Sequence, residues 1–415
     1  MIDTVVIGGG PSGLAAAARL AETGLNVVLV EKEDELGGIL MQCIHDGFGT
    51  KIFGEALSGP EFASELIGKV EKYGVNTILG AYVHSVKVKP DSKKVVIVSS
   101  EGVQRIEAKT IVFALGCRER HRFEIMVGGT RPAGVYNAGL VQRLINIYGI
   151  LPGRNIVIVG GGDVGMIVAR HLYLEGAESI LIVYPEEFFA GLPRNIQQCI
   201  LDFGIEYRPR TIVKEILGRR RVEGVVLAKV DEKWNPIPGT EEVYPCDTVV
   251  FSVGLVPQSK MLEEIGARID PLTGGPEVNE YYETTIPGVF AVGNLVQVFD
   301  YVDDAVETAG MAAVGVSRYL GRRGKRRHIR VEAGSGVRSV VPQRIEWDDD
   351  SPVTFFFRPS TKVENASIEF TSAGKTLYNL RKRYVKPSLL ERVEAPRKIF
   401  EGVREVSILI SSHGL

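Results

Sequence analysis

Two glycine runs carry the most explicit chemistry in this chain. Gly8, Gly10 and Gly13, within Gly8-Gly9-Gly10-Pro11-Ser12-Gly13, have the G-x-G-x-x-G spacing, and Gly160, Gly162 and Gly165, within Gly160-Gly161-Gly162-Asp163-Val164-Gly165, repeat it 152 residues later. In that spacing the first glycine makes a tight turn, the second admits a pyrophosphate against bare backbone, and the third lets the next helix pack on the preceding strand. Glu31 follows the first run close to the offset of about 20 residues at which a carboxylate accepts from ribose hydroxyls. In the second run that position falls near Val183 or Tyr184, with Glu186 a little beyond, so the ribose carboxylate is displaced or missing. The two runs therefore mean two dinucleotides, or one dinucleotide and a relic kept for packing, and the choice between NAD and NADP stays open.

A second concentration of reactive groups lies at 36–49, where Gln42, Cys43 and His45 stand among several glycines. A thiol, an imidazole and an amide in a glycine-rich segment read as a loop shaped around something. His45, if close and charged, would lower the Cys43 thiol pKa toward a reactive thiolate. The competing reading is a small residue packed in place. Cys117, Cys199 and Cys246 lie in or beside apolar segments and read as buried. No C-x-x-C or metal-ligand spacing occurs, so neither a disulfide framework nor a zinc site is indicated.

The elements that must position these groups are legible as alternating strands and helices. The first unit reads as a buried strand over 4–7, an alanine-rich helix over 14–23 whose dipole faces the phosphates, and a strand over 26–30. A helix over 62–73 follows, with strands over 77–79, 82–88 and 94–98 and a buried strand running from Thr110 into Ala114-Leu115-Gly116. The second unit has a helix over 138–148, a strand over 155–159, a helix reaching 176 and a strand over 179–183. Two further strands end at Gly254 and at Gly293-Asn294, and a helix over 302–320 starts with Asp303 and Asp304 in its first turn. Beyond it, 331–415 reads as a small β-rich region with strands over 353–357, 367–370 and 406–410.

Composition bounds the rest. A chain of 415 residues is too long for one core and predicts two or three domains. Its 47 glycines are well above the usual share of about 7%, which places the excess in turns and close backbone approaches. A net charge of -2 gives no global attraction to nucleic acid or membrane. The first strand begins within three residues, leaving no room for a signal peptide, and no apolar run reaches the roughly 18 residues of a membrane span, so a cytoplasmic protein is expected. The basic run Arg322-Arg323-Gly324-Lys325-Arg326-Arg327-His328 reads as a solvated linker or as a docking site for an acidic partner.

Five motifs in this order resemble the two-dinucleotide-binding-domain flavoproteins, the pyridine-nucleotide-disulfide oxidoreductase superfamily: the first glycine turn with Glu31, the strand ending in Ala114-Leu115-Gly116, the second glycine turn, the strand ending at Gly254, and Gly293-Asn294. The resemblance spans about 1–321. It implies an α/β fold with two Rossmann-like domains, FAD-binding parts at 1–118 and 252–326, an NAD(P)-binding domain with its connections at 119–251 inserted between them, and the small β-rich C-terminal domain at 331–415. By the same resemblance FAD would be held by Gly8, Gly10, Pro11, Ser12, Gly13, Glu31, Lys32, Gly37, Gly38, Gln42, Val83, Ala114, Gly116, Gly293, Asn294 and Asp303. NAD(P)H would be held by Gly160, Gly162, Asp163, Val164, Gly165, Tyr184 and Gly254. The family residue at 294 is usually aspartate, and here an asparagine must bond the ribityl chain.

The chain departs from the disulfide reductases in having no pair of nearby cysteines, because electrons leave those enzymes through thiolate attack on a disulfide. The stretches 37–49 and Arg131-Pro132-Ala133-Gly134-Val135-Tyr136 resemble a narrower branch, the flavoproteins associated with glycerol-3-phosphate dehydrogenase and the alpha subunits of opine oxidase and proline dehydrogenase. That resemblance implies an FAD-dependent oxidoreductase moving electrons between NAD(P)H and a second dehydrogenase or electron-carrier subunit, in an oligomeric assembly, with no nucleic acid and no membrane span. One alternative is a stand-alone NADH oxidase or peroxidase with Cys43 and His45 as its catalytic pair. The other is a non-catalytic nucleotide-binding scaffold subunit.

Overall fold

The computed structural model describes residues 2–321, 328–346 and 351–412. Most of the basic run, 322–327, lies outside the described residues. The chain divides into two compact units, one of residues 1–41, 46–117 and 257–415 and another of residues 42–45 and 118–256.

The first unit is built on a seven-stranded sheet. Ile2–Ile7 lies at its centre, parallel to Val27–Val30 on one side and to Gly102–Phe113 on the other. Thr4 and Thr110 sit opposite one another in this register, and their hydroxyls bond at 2.8 Å, which satisfies two polar groups that are fully buried. Asn76–Ile78 extends one edge in parallel. The hairpin Tyr82–Val88 and Lys93–Ser99 joins antiparallel to Gly102–Phe113. That last strand is longer than the apolar run at 110–115 suggests. Its first half alternates exposed Arg105, Glu107 and Lys109 with buried Ile106, Ala108 and Thr110, as a half-solvated hairpin strand does, before it becomes wholly buried.

Over this sheet the helices Pro11–Glu22 and Val302–Gly321 pack closely. Ala15, Ala16, Ala17 and Ala18 on one, and Ala305, Ala309, Ala312 and Ala313 on the other, are all buried. Small side chains let the two backbones approach. The helix Gly59–Lys72 begins with a capping box between Ser58 and Glu61 and carries Pro60 in its first turn, so it starts three residues earlier than apolar periodicity alone predicts. Segment 36–49, expected to be a loop, contains a short helical turn at Gly38–Gln42 and a strand, Asp46–Phe48, paired with Leu57–Ser58.

The C-terminal residues clustering with this unit form a five-stranded and a three-stranded sheet around a core of their own, with Phe355, Phe370 and Phe400 in edge-on or tilted contact. The three strands expected there lie inside longer ones, Val353–Pro359, Val363–Ser372 and Glu405–Ser412. A buried ion pair, Arg397 Nη1 to Glu280 Oε1 at 2.6 Å, and a hydrogen bond from Asn279 Nδ2 to Glu346 Oε1 at 2.6 Å join this region to the rest of the unit.

The second unit has a five-stranded parallel sheet in the order Val135–Asn137, Thr248–Phe251, Asn155–Val159, Ser179–Val183, Glu206–Arg208. A four-stranded sheet, Gly128–Gly129, Thr211–Leu217, Gly224–Lys229 and Glu242–Pro245, accompanies it. None of the strands of that second sheet was expected from the sequence, although Gly224–Lys229 contains an apolar run, Val225 to Ala228.

Candidate functional site

Each unit presents a glycine turn at the carboxyl end of its central strand, and the two turns share the backbone bond and the steric constraints of their first and third glycines. Gly8 N donates to Val30 O and Gly160 N donates to Val183 O, both at 2.8 Å. Both leading glycines hold a left-handed φ, +107° and +117°, and a Cβ on either would meet a carbonyl oxygen, that of Ala114 at 2.4 Å or Ser252 at 2.1 Å. The third glycines are constrained the same way: a Cβ at Gly13 would come 1.8 Å from Gly8 O, and one at Gly165 would come 2.8 Å from Gly160 O. The middle glycines differ, because a Cβ at Gly10 or Gly162 would meet nothing within 4 Å. Bare backbone there faces open space at the amino ends of twelve-residue helices, Pro11–Glu22 and Asp163–Leu174, which is the cradle a pyrophosphate needs.

In the first unit Glu31 is buried, with Oε2 accepting from Gly9 N at 2.5 Å and Oε1 from Glu33 N at 2.9 Å. A carboxylate has about four acceptor sites, so two backbone bonds leave capacity for ribose hydroxyls. Gly37 N donates to Gly9 O at 2.9 Å, and a Cβ at Gly38 would sit 3.0 Å from Gly10 Cα, so this segment runs along the glycine turn. Ala114 N bonds Ile7 O, while Gly116, at φ +66°, borders open space. Val83 is buried in its hairpin strand. Lys32 is exposed and paired with Glu33.

Three expected ligands, Ser12, Asn294 and Asp303, have side chains that bond the protein itself, and a fourth, Gly293, has its backbone N–H bonded. Ser12 Oγ donates to Ala305 O at 3.0 Å, tying the two packed helices together. Gly293 lies against Ser12, and its N–H is taken by Thr308 Oγ1 at 2.9 Å. Asn294 Oδ1 accepts from Phe299 N at 3.0 Å. The buried Asp303 carboxylate accepts from the backbone amides of Gly49, Lys51 and Ile52 at 3.0 to 3.2 Å, so it holds a loop. Spacing did not mark Gln297. Its side chain is buried just beyond the Gly293 turn, and its Nε2 has no hydrogen-bond partner, a donor of the kind a bound flavin or phosphate group satisfies. Bare backbone at Gly10 and Gly116, the Glu31 carboxylate and this donor fit FAD.

In the second unit Gly254, at φ +99°, borders open space and its carbonyl accepts from Arg120 N. Val164 is exposed beside the turn. Asp163 Oδ1 accepts from Leu192 N at 2.8 Å and Asn195 Nδ2 at 2.7 Å, which fixes the turn at 191–195. Tyr184 is buried, its ring 2.9 Å from where a Cβ on Gly161 would be. The open cradle at Gly162 fits a dinucleotide pyrophosphate.

Residues 42–45 belong to this unit too. Gln42 Nε2 donates to Gly139 O and Asn146 Nδ2 donates to Gln42 O, both at 2.7 Å. The His45 and His171 rings lie 6.3 Å apart. Burial first, then the neighbouring His45 and Arg170, holds the His171 imidazole down to about 4, so it is neutral at neutral pH. Burial alone pushes the Cys43 thiol up to about 12. Such a thiol stays protonated and is a poor nucleophile. Cys246 is likewise pushed to about 12, mainly by burial, and Cys199 is raised by burial.

Among the described residues no group of side chains could hold a metal ion, and no helix is long and apolar enough to cross a membrane. The chain is 22% identical to thioredoxin reductase of Listeria monocytogenes over 324 residues, 77% of this chain and 93% of that one. It is 28% identical to the glutamate synthase (NADPH) small chain of Halomonas elongata over 347 residues, 76% of this chain and 67% of that one. The crystal structure of Lactococcus lactis thioredoxin reductase has the same fold, with a TM-score of 0.66 at 23% identity over 77% of this chain and 99% of that one. Residues 2–313 match the family described as pyridine nucleotide-disulphide oxidoreductase, and the chain belongs to that family, as an FAD- and NAD(P)-dependent oxidoreductase.

Proposed function

We propose that this chain is a cytoplasmic flavoprotein subunit that relays electrons between NAD(P)H, its FAD and a partner dehydrogenase or carrier subunit, rather than a disulfide reductase. The observation that carries the reading is the distribution of its thiols. The four cysteines, at 43, 117, 199 and 246, are never closer in sequence than 47 residues, and burial raises the pKa of three of them. Thiol exchange needs a reactive thiolate beside a second sulfur. Without one, electrons held on FAD must leave by another acceptor, and a partner protein supplies it. A relative named as the small chain of glutamate synthase is in keeping with a subunit role. The glycerol-3-phosphate, opine or proline dehydrogenase type of complex is the class of partner we favour, on the resemblance at 37–49 and 131–136.

Bound FAD would supply a hydride acceptor for nicotinamide and an outlet for one or two electrons. The chain's own residues bind and orient. Gly10 and Gly162 expose backbone to the two pyrophosphates, and Glu31 accepts from ribose. The high pKa of Cys43 makes an oxidase or peroxidase cycle through its thiolate the weaker reading.

The test is an anaerobic titration of the purified flavoprotein with NADH and NADPH, followed by affinity capture from the native host. Flavin bleaching by a nicotinamide, its persistence in Cys43→Ser, and co-purification of a dehydrogenase whose substrate also bleaches the flavin are expected. NAD(P)H-driven reduction of thioredoxin or another disulfide by the chain alone would sink the proposal.

A further inference from the structure

The second glycine turn, which serves as the nicotinamide site in the relay proposed above, carries its own choice of nucleotide. The first unit supplies the template. After Val30, whose carbonyl holds Gly8, comes Glu31 with its carboxylate on the glycine turn; after Val183, whose carbonyl holds Gly160, comes Tyr184. The equivalence continues outward: Glu31 N bonds Ile78 O and Tyr184 N bonds Arg208 O, while Ala81 N bonds Glu31 O and Thr211 N bonds Tyr184 O. One step further, Gly80 N bonds Glu33 O and Arg210 N bonds Glu186 O.

Tyr184 thus fills the carboxylate's place with an aromatic ring, tilted by 34° against Phe189 with the ring centroids 4.6 Å apart. The chain between them makes a short loop whose two ends are pinned to the glycine turn, Tyr184 by contact with Gly161 and Ala190 by its N–H to Gly161 O at 3.0 Å. That loop carries Glu186 and Glu187. Two arginines alongside are matched: Arg210 pairs with Glu187 at 2.9 Å, and Arg208 pairs with Glu206 and Glu242. A site at the end of this strand receives the adenosine ribose, where an acid favours a free 2'-hydroxyl and an arginine accommodates a 2'-phosphate.

We infer that the second site selects NAD(H) against NADP(H), with Glu186 and Glu187 as the discriminating residues. A free 2'-hydroxyl donates to a carboxylate. A 2'-phosphate would bring about two negative charges against two carboxylates, beside two arginines that are already paired.

Isothermal titration of the FAD-loaded protein with ADP-ribose and with its 2'-phosphate reads this choice without turnover. ADP-ribose is expected to bind at least about tenfold tighter, with the gap closing to under about threefold in the Glu186→Gln/Glu187→Gln double variant. In the unmodified protein the gap should also narrow as salt rises, since the repulsion is screened. Equal or tighter binding of the phosphorylated fragment, or a gap indifferent to both salt and the double substitution, would overturn the inference while leaving the relay intact. Binding of neither fragment would remove the nicotinamide site from the relay and this inference with it.

Discussion

Glu31 Oε2 lies 2.5 Å from the amide nitrogen of Gly9, so the carboxylate we propose for ribose binding is also a strut of the glycine turn. One side chain thereby braces the turn at Gly9 and the backbone at Glu33.

Glu31→Gln keeps the size but removes the charge from a hydrogen bond to backbone, an interaction class worth about 1.5 to 3 kcal/mol. The variant is expected to fold and to purify with FAD well below one per chain, read as the ratio of flavin to protein absorbance. Full flavin content would show that the carboxylate contributes to the turn alone.

Gly13→Ala and Gly10→Ala separate folding from binding. A methyl group at Gly13 would be driven 1.8 Å from Gly8 O, with backbone as the neighbour that must yield, so a loss of at least about 3 kcal/mol and a sharply lower Tm are expected. A methyl group at Gly10 meets open space and should leave Tm of the apoprotein nearly unchanged while excluding FAD. Comparing thermal melts and flavin content of the two apoproteins checks both.

His171 makes the second unit sensitive to acid. Its folded pKa, held at about 4, lies below the ordinary 6.5, so the unfolded chain binds the extra proton between those values. The stabilisation is complete above about pH 6.5 and is lost as pH falls toward 4, on the order of 3 kcal/mol across the window. Urea unfolding at pH 7 and pH 5 should show a fall in midpoint that is smaller in His171→Gln.

The Glu280–Arg397 pair, both side chains under 5% exposed, is expected to behave as a buried ion pair does. Arg397→Met strands a carboxyl whose burial already raises it to about 7, and should cost about 3 to 5 kcal/mol. Replacing both partners, Glu280→Leu with Arg397→Met, should cost less than the sum of the single changes. A double-mutant cycle by denaturant unfolding measures the coupling, and strict additivity would show the pair to be independent.

Both nucleotide-binding folds were legible in the sequence because their signals are local. A buried strand, three glycines at fixed spacing and an apolar helix lie within about 30 residues; the first and third glycines of each run sit where a Cβ would strike backbone, and the middle one leaves backbone bare. The lack of a cysteine pair closely spaced along the chain was equally legible, since the four cysteines are at least 47 residues apart. The tertiary structure decided what depends on partners distant in sequence. Ser12, Asn294 and Asp303 have the right chemistry for a ligand, yet their side chains are occupied by Ala305, Phe299 and the loop at 49–52. Cys43 beside His45 resembles an activated thiol in one dimension; burial, which no spacing reveals, pushes the thiol up to about 12 instead of down. Tyr184 could be placed opposite Glu31 only by the hydrogen bonds that hold the two turns in the same register, because the second carboxylate is not missing at random but replaced, at that point in space, by an aromatic ring.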